Sequence, residues 1–563
     1  MSFSPHAAVG CSVEAYPFEG GPLVIQGGNI RSVTVSKSLH GCAAGQFAIE
    51  LANGGPRGAE DPTTWSQAIT PMSHVLIGMS RGDSAAIVMD GVATAQAESQ
   101  QWTTKNEGSS AARGQLISGA DFAWFFRRFN YYALTFYGLT AGIPGVGDGL
   151  LPQGLESALS QGLTGGNSSA ESSPVQVGYT WFNRVMAGTK GVLAKTFVPF
   201  SSNSRYAFNS VVRTVFEDYP SVYIPYGDNF MTAEESWAEK FLGIFPHPWY
   251  DFFVTTAPSG AYTLPTLSNG IQTPGQQFAM VSMPQAAAAG PVLVARINPT
   301  PAFDIAEANT GLAGLPGPVD LSRWNALPLF DFTRAGYGFL SSSVSFSAEG
   351  ARNFYQMNPS YLRPMAPQSN TNNIPVPFFY MAAADPASIQ RYGFSPQMGS
   401  TRWLCDPTGS AAQNSSVDLN QTIRSLTGRL ISWFHPAPLM LRGQVTMPLT
   451  PEILIGTRFR YAPYKGAPSW DFYVEGFQHR FIFGGNSTTT LTLSRGLPTS
   501  VYQDVTVLSA IHTGDATRTG SSYTRGLPAG TGPALQIVNT PPQLSAMAGN
   551  LAEIFVTPQP TGY

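Results

Sequence analysis

The chain has 563 residues, more than one compact core holds, so about two to four domains are expected. Hydrophobic residues make up 43% and charged residues only 12%, about half of the roughly 25% found in ordinary soluble domains, so much of the surface is expected to be covered in an assembly. The net charge of −3, from 31 basic and 34 acidic residues with no Lys/Arg cluster, argues against a dedicated nucleic-acid binder, which needs a basic stripe to neutralise phosphates.

Three cysteines, Cys11, Cys42 and Cys405, are too few for a disulfide scaffold and lack zinc-ligand spacing. Cys11 and Cys42 could meet across neighbouring strands; free buried thiols are the expected state. The first twenty residues carry no basic segment followed by an apolar core, so no signal peptide is expected. The most apolar stretch, residues 122–142, is broken by Arg127, Arg128, Asn130 and Gly138 and is not expected to span a bilayer.

Residues 1–125 read as a β-domain, a small barrel or sandwich. Ile30, Ser32, Thr34 and Ser36 alternate with Arg31, Val33, Val35 and Lys37, and apolar runs at 46–51, 74–79 and 85–89 follow between Gly/Pro/Asp turns. Asp121 caps a helix with Phe122, Phe125, Phe126 and Phe129 at helical spacing, a face expected to pack on the barrel. Residues 126–190 continue as helix and Gly/Ser-rich linker, with 142–174 as a long surface loop.

Residues 191–323 read as a peripheral α+β domain. Phe208, Val211, Val212, Val215 and Phe216 predict a helix stopped before Pro220. Thr232-Ala-Glu-Glu235 is a capping box opening a second helix, with Trp237, Phe241, Ile244 and Phe245 on its apolar side. Strands are expected at 249–255 and 292–297. Residues 324–502 form a second β-region. It holds strands at 341–346, 444–448, 458–462, 472–483 and 488–494, a hairpin turn at Gly484-Gly-Asn-Ser487, and one long helix carrying Leu419, Ile423, Leu426, Leu430, Ile431 and Phe434. Residues 503–563, rich in Gly, Thr, Ser and Pro, are expected to form an extended arm.

No P-loop, HExxH, GxGxxG or EF-hand loop occurs. Gly78-Met-Ser-Arg-Gly82 matches the nucleophile elbow, but that motif needs a strand–turn–helix, and Ser80 falls at a predicted strand–turn–strand hairpin. Arg81-Gly-Asp83 in the same turn is read as ordinary turn chemistry rather than an adhesion motif. Glu475 and His479 share a strand face but lie about 13 Å apart, too far to share a metal. Glu234 with Glu235 and Glu217 with Asp218 are sequence neighbours that point apart on a helix. No catalytic, cofactor-binding or metal-ligating residue is assigned, and no enzymatic activity is expected.

Phe472-Tyr-Val-Glu-Gly-Phe-Gln-His-Arg-Phe-Ile-Phe-Gly-Gly485, followed by Thr488-Thr-Thr-Leu-Thr-Leu-Ser-Arg-Gly496, closely resembles the closing hairpin of tailed-phage baseplate hub proteins, the late control protein D-like family. Arg391-Tyr392-Gly393, Gly456-Thr-Arg-Phe459, Asn353 and Ser118-Gly-Ala-Asp121 resemble further segments of that family in the same order. The resemblance covers about residues 335–498 and, more weakly, 20–130. The segment 142–174 and the tail after Tyr502 depart from it.

The resemblance implies an α+β, mainly β fold: two tube-like β-barrel domains, an inserted α+β domain and Gly/Pro-rich arms. It also implies a homotrimeric ring in a virion tail, assembled in the host cytoplasm. That ring would match a hexameric tail tube or distal tail protein on one side and hold a central spike protein on the other. The end of a tape-measure protein would sit in its lumen, baseplate wedge proteins would surround it in a contractile tail, and DNA would contact it only in passage. A carbohydrate-binding or depolymerising tail protein, and a distal tail or tube-cap protein, remain the alternative readings.

Overall fold

Burial with a period of two builds the N-terminal strands of the computed structural model. The structure describes residues 8–17, 20–52, 54–57, 63–82, 84–103, 110–128, 213–216, 238–239, 242, 247, 250–258, 261–262, 290–299, 302–303, 319–335, 340–360, 382–384, 386–404, 433–434, 437–462, 468–500 and 536–538. Strand β1 (Val9–Tyr16) buries Val13 and Ala15, and β2 (Leu23–Gln26) buries Ile25. Strand β3 (Ile30–Ser38) buries Val33, Val35 and Lys37. It also buries Ile30, because a bulge between Ile30 and Ser32 shifts its register against β4 (Gln46–Leu51). β5 (His74–Arg81) and β6 (Ser84–Thr103) form the expected hairpin, and β7 (Ser110–Asp121) pairs along β6.

The middle region contributes β8 (Arg213–Phe216), β9 (Tyr250–Ala257) and β10 (Gly290–Ile297) in the order β8-β10-β9, with β8 parallel to β10. Every residue of β9 and β10 is buried, as an unbroken apolar run allows when both faces are covered. The helix expected around Val215 and Phe216 is corrected here, since residues 213–216 are extended. An apolar run of this length fits either period, and Arg-Thr-Val-Phe gains more from pairing with β10 than from a helical turn. Of the helix expected after Thr232, only Ala238, Glu239 and Leu242 are described, all helical; the rest lies outside the described residues. β11 (Ala302–Phe303) and β12 (Val319–Asp320) form a two-residue ladder.

The C-terminal region adds β13 (Leu329–Asp331), β14 (Ser341–Ser345), β15 (Phe354–Ser360), β16 (Ala382–Ala384), β17 (Pro396–Leu404), β18 (Leu441–Pro448), β19 (Arg458–Tyr461), β20 (Trp470–Ile482), β21 (Thr488–Pro498) and β22 (Gln536–Val538). Strands β17-β15-β16-β22 make a separate sheet, so part of the tail expected to be an extended arm is a paired strand. The linker 142–174 lies outside the described residues, as does the long helix apart from Trp433 and Phe434.

The main sheet has 13 strands and runs β14-β18-β21-β20-β3-β4-β7-β6-β5-β1-β2, with β19 on β20 and β13 on β19. Its centre is β20. Residues 470–473 of that strand pair with β19, residues 476–482 pair with β3, and its other edge pairs with β21. The chain is thus mainly β, and its two β-regions share one open path of pairing among the described strands instead of closing into two separate rings. One continuous apolar core, from Val13 to Leu497, packs the main sheet against β9 and β10. Among the described residues no helix is long and apolar enough to cross a membrane.

Candidate functional site

The residues singled out in the sequence separate in space. Ser80 lies in β5, paired with Ala85 of β6 and Gly10 of β1, so the hairpin reading holds and the helix that a nucleophile elbow needs is not there. Arg81 is 7% exposed and donates Nη1 to the Leu449 carbonyl at 3.5 Å, which turns its guanidinium inward, away from any adhesion receptor. Asp83, Glu217, Asp218, Glu234 and Glu235 lie outside the described residues. Glu475 and His479 do not converge: Glu475 meets His40, whereas the His479 ring meets Thr489 Oγ1 at 2.8 Å. Among the described residues no group of three or more His, Cys, Asp or Glu could hold a metal ion. Cys11 and Cys42 are free, and burial pushes the Cys42 thiol up to about 11.

Three polar clusters stand out among the described residues, two of them where distant parts of the chain meet. In the first, Arg296 of β10 reaches Asp251 of β9 at 3.3 Å and also donates to the Gly456 carbonyl at 2.6 Å and the Tyr473 hydroxyl at 3.0 Å. Tyr473 in turn donates to Asp251, and Asn298 donates to the second oxygen of Asp251 at 3.2 Å. Burial raises the Asp251 carboxyl against the opposing pull of Arg296. The guanidinium thus ties the middle sheet to β20, and the Gly456 conformation (φ +67) makes room, since a Cβ there would lie 2.8 Å from Arg296 Nη2.

The second cluster borders a cleft of about 570 Å³ lined by Ser343, Trp433, Arg442, Glu475, Thr492 and Arg495, among others. Each described charged side chain there is already engaged within the chain. Arg442 pairs with Glu349 at 3.2 Å, Arg495 donates to the Trp433 carbonyl at 2.7 Å with its guanidinium 4.4 Å from the Trp433 ring, and Glu475 holds His40 at 3.1 Å. The hydrogen bond to Glu475 raises His40 above its ordinary range. Among the described residues no activated nucleophile or paired acid and base is aimed into the cleft.

The third cluster pairs Lys37 of β3 with Asp121 at the end of β7, both side chains 3% exposed. Asp121 Oδ1 also accepts from the Ala123 N–H at 3.0 Å, the expected capping role. Phe122, just before the helix Ala123–Arg128, and Phe125 and Phe126 within it are buried in the core, as their spacing predicts, while Phe129 lies outside the described residues. Asp251, Arg296 and Lys37 escaped the sequence reading. The available signal was a lone charge inside an otherwise apolar strand, as in Trp249-Tyr-Asp-Phe-Phe-Val and Val-Leu-Val-Ala-Arg296-Ile, which marks a buried pair.

The segments that resemble hub proteins are structural locks. Asn353 is fully buried, donates to the Gly393 carbonyl at 2.6 Å and accepts from the Ser395 N–H at 2.7 Å, so Arg391-Tyr392-Gly393 is clamped to the start of β15. Gly393 (φ +80) ends the helix Pro386–Tyr392. In Ser494-Arg-Gly496, Arg495 takes a left-handed conformation (φ 58) within a bulge of β21, and Gly496 leaves space for the Phe472 ring, 2.2 Å from where a Cβ would sit. No family model matches the sequence, and no curated protein matches it. Solved structures with detectable similarity include a tail protein from Neisseria meningitidis MC58, at TM-score 0.40 and 11% identity over 86% of this chain and 96% of that one. They also include the 43 kDa tail protein of prophage MuSo2 from Shewanella oneidensis (TM-score 0.39, 10% identity, 87% and 98% covered). A third is prophage tail protein gp18 from Listeria monocytogenes EGD-e (TM-score 0.33, 10% identity, 85% and 94% covered).

Proposed function

We propose that the chain is a structural protein of a phage tail, the hub of its baseplate, acting through assembly and carrying no active site. What supports this reading is the fate of the hub-like segments: Asn353 with Gly393, Gly456 under Arg296, the Arg495–Gly496 bulge and Gly119 beside Phe47 all serve to lock strands, and none presents a reactive group. The hairpin of β20 and β21, which carries the strongest resemblance, is the seam joining the N- and C-terminal halves. In the proposed ring three copies place two tube-like walls each around a channel, matching a hexameric tube on one face and a trimeric spike on the other. The low charge density of the chain suits such extensive interfaces. Native mass measurement of the purified chain, with a cryo-EM map of the particle, tests it. A trimer beneath the tube is expected, a hexamer would favour a distal tail protein, and a monomer with glycan affinity would overturn the structural reading.

A further inference from the structure

We propose that Lys37 and Asp121 become joined by an isopeptide bond, an amide between Lys37 Nζ and Asp121 Cγ that fastens three strands of the main sheet. The strand order β3-β4-β7 places the two residues on strands separated by β4, where Asp121 N donates to the Gly45 carbonyl at 3.0 Å and Ser36 pairs with Gln46. Side chains from next-nearest strands must bridge roughly 10 Å across the strand between them. Any side chain at position 45 would block that bridge. A Cβ on Gly45 would lie 2.7 Å from Lys37 Cδ and 2.9 Å from Asp121 Oδ2. The missing side chain is what lets amine and carboxyl meet.

Their surroundings favour condensation over a lasting ion pair. Nζ and Oδ2 have no hydrogen-bond partner besides each other among the described residues, although an ammonium carries three donors. An ion pair so poorly supplied is costly in a dry interior, and condensation removes both charges. Burial also pushes Lys37 down to about 7, so a nucleophilic amine is populated at ordinary pH. The contrast is Arg296, whose guanidinium stays protonated and finds acceptors in Asp251, Gly456 and Tyr473; that pair remains ionic.

The reaction balances without a cofactor. The Nζ lone pair attacks Cγ, and the Ala123 N–H on Oδ1 stabilises the negative charge that develops there. The C–N bond forms as the Cγ–Oδ2 bond breaks. Oδ2 takes one proton from Nζ as the lone pair is freed and a second as the bond breaks, and leaves as water. The product is a neutral amide whose carbonyl oxygen keeps its bond from Ala123.

Intact mass spectrometry of the full chain, denatured and reduced, reads the bond directly and is indifferent to oligomeric state. The wild type is expected to be lighter than its sequence by one water. Trypsin should leave Lys37 uncut and yield residues 32–57 joined to residues 114–127. The D121N chain should instead lose one ammonia, and K37R should show its full sequence mass. A wild-type chain of full sequence mass that is cleaved after Lys37 would mean an ordinary buried ion pair and overturn the proposal. Loss of water mapped to any other pair of peptides would overturn it equally, and neither readout depends on a variant folding.

Discussion

Arg296 and Lys37 are both cations buried in sheets, and their partners decide what each contributes. Arg296 has a carboxylate, a carbonyl and a phenol within reach, so its role is to hold three segments in one geometry. Buried histidines add a pH dependence of definite sign. His479 is fully buried. Thr489 Oγ1 accepts the Thr450 N–H at 2.8 Å and has its own proton left for His479 Nδ1, so the ring is held neutral, and burial pushes its pKa down to about 3. Between the ordinary value near 6.5 and about 3 the unfolded chain binds the extra proton, so stability rises with pH in that window. Chemical denaturation is therefore expected to show stability falling from pH 6.5 to 4.5 by an amount on the order of 2 kcal/mol, and His479→Gln should remove that part of the slope. An unchanged slope in the variant would count against this assignment. His40 has the opposite sign. Its bond to Glu475 contributes below pH 6.5 and fades as pH rises through its raised pKa, an effect kept small by a side chain 51% exposed.

At the scale of elements, close strand packing is governed by positions where no side chain fits. Gly119 of β7 sits where a Cβ would lie 2.2 Å from both the Phe47 ring and the Val92 carbonyl, wedging β7 away from β4 and β6. Gly119→Ala is expected to destabilise the fold by about 2–3 kcal/mol, read as a lowered denaturation midpoint, because backbone and a packed ring cannot both yield cheaply. A midpoint equal to that of the wild type would show that the sheet absorbs the methyl. The β5–β6 turn docks in the same manner of close fit, with Ser84 donating to Glu452 at 2.9 Å beside the Arg81 bond to Leu449.

For the whole molecule the decisive fact is that β20 hydrogen-bonds to β3, a strand more than four hundred residues earlier. Two β-regions sharing one sheet and one core should melt together, so calorimetry is expected to show a single main transition for them. Two well-separated transitions, one for each region, would contradict the shared core. The Lys37–Asp121 amide would close a loop of about 80 residues and limit the unfolded chain, a constraint worth about 4–5 kcal/mol on the loop-entropy scale. The K37R chain should therefore melt earlier within that same transition.

The sequence by itself determined the local pattern. Apolar patterning located β3, β4, β5, β9, β10, β14 and β18 to β21 but missed β1, β2 and β7, the Gly484-Gly-Asn-Ser487 turn joined β20 to β21, and the aromatic spacing after Asp121 placed a helix on the core. These are short-range properties, set by a residue's period and its immediate neighbours. Only the tertiary structure decided that residues 213–216 are strand, that the two β-regions are one sheet, and that Lys37, Asp251 and Arg296 find buried partners. Each of those outcomes depends on contacts between segments distant in the chain, and hydrophobic periodicity carries no information about which distant strand a given edge will meet.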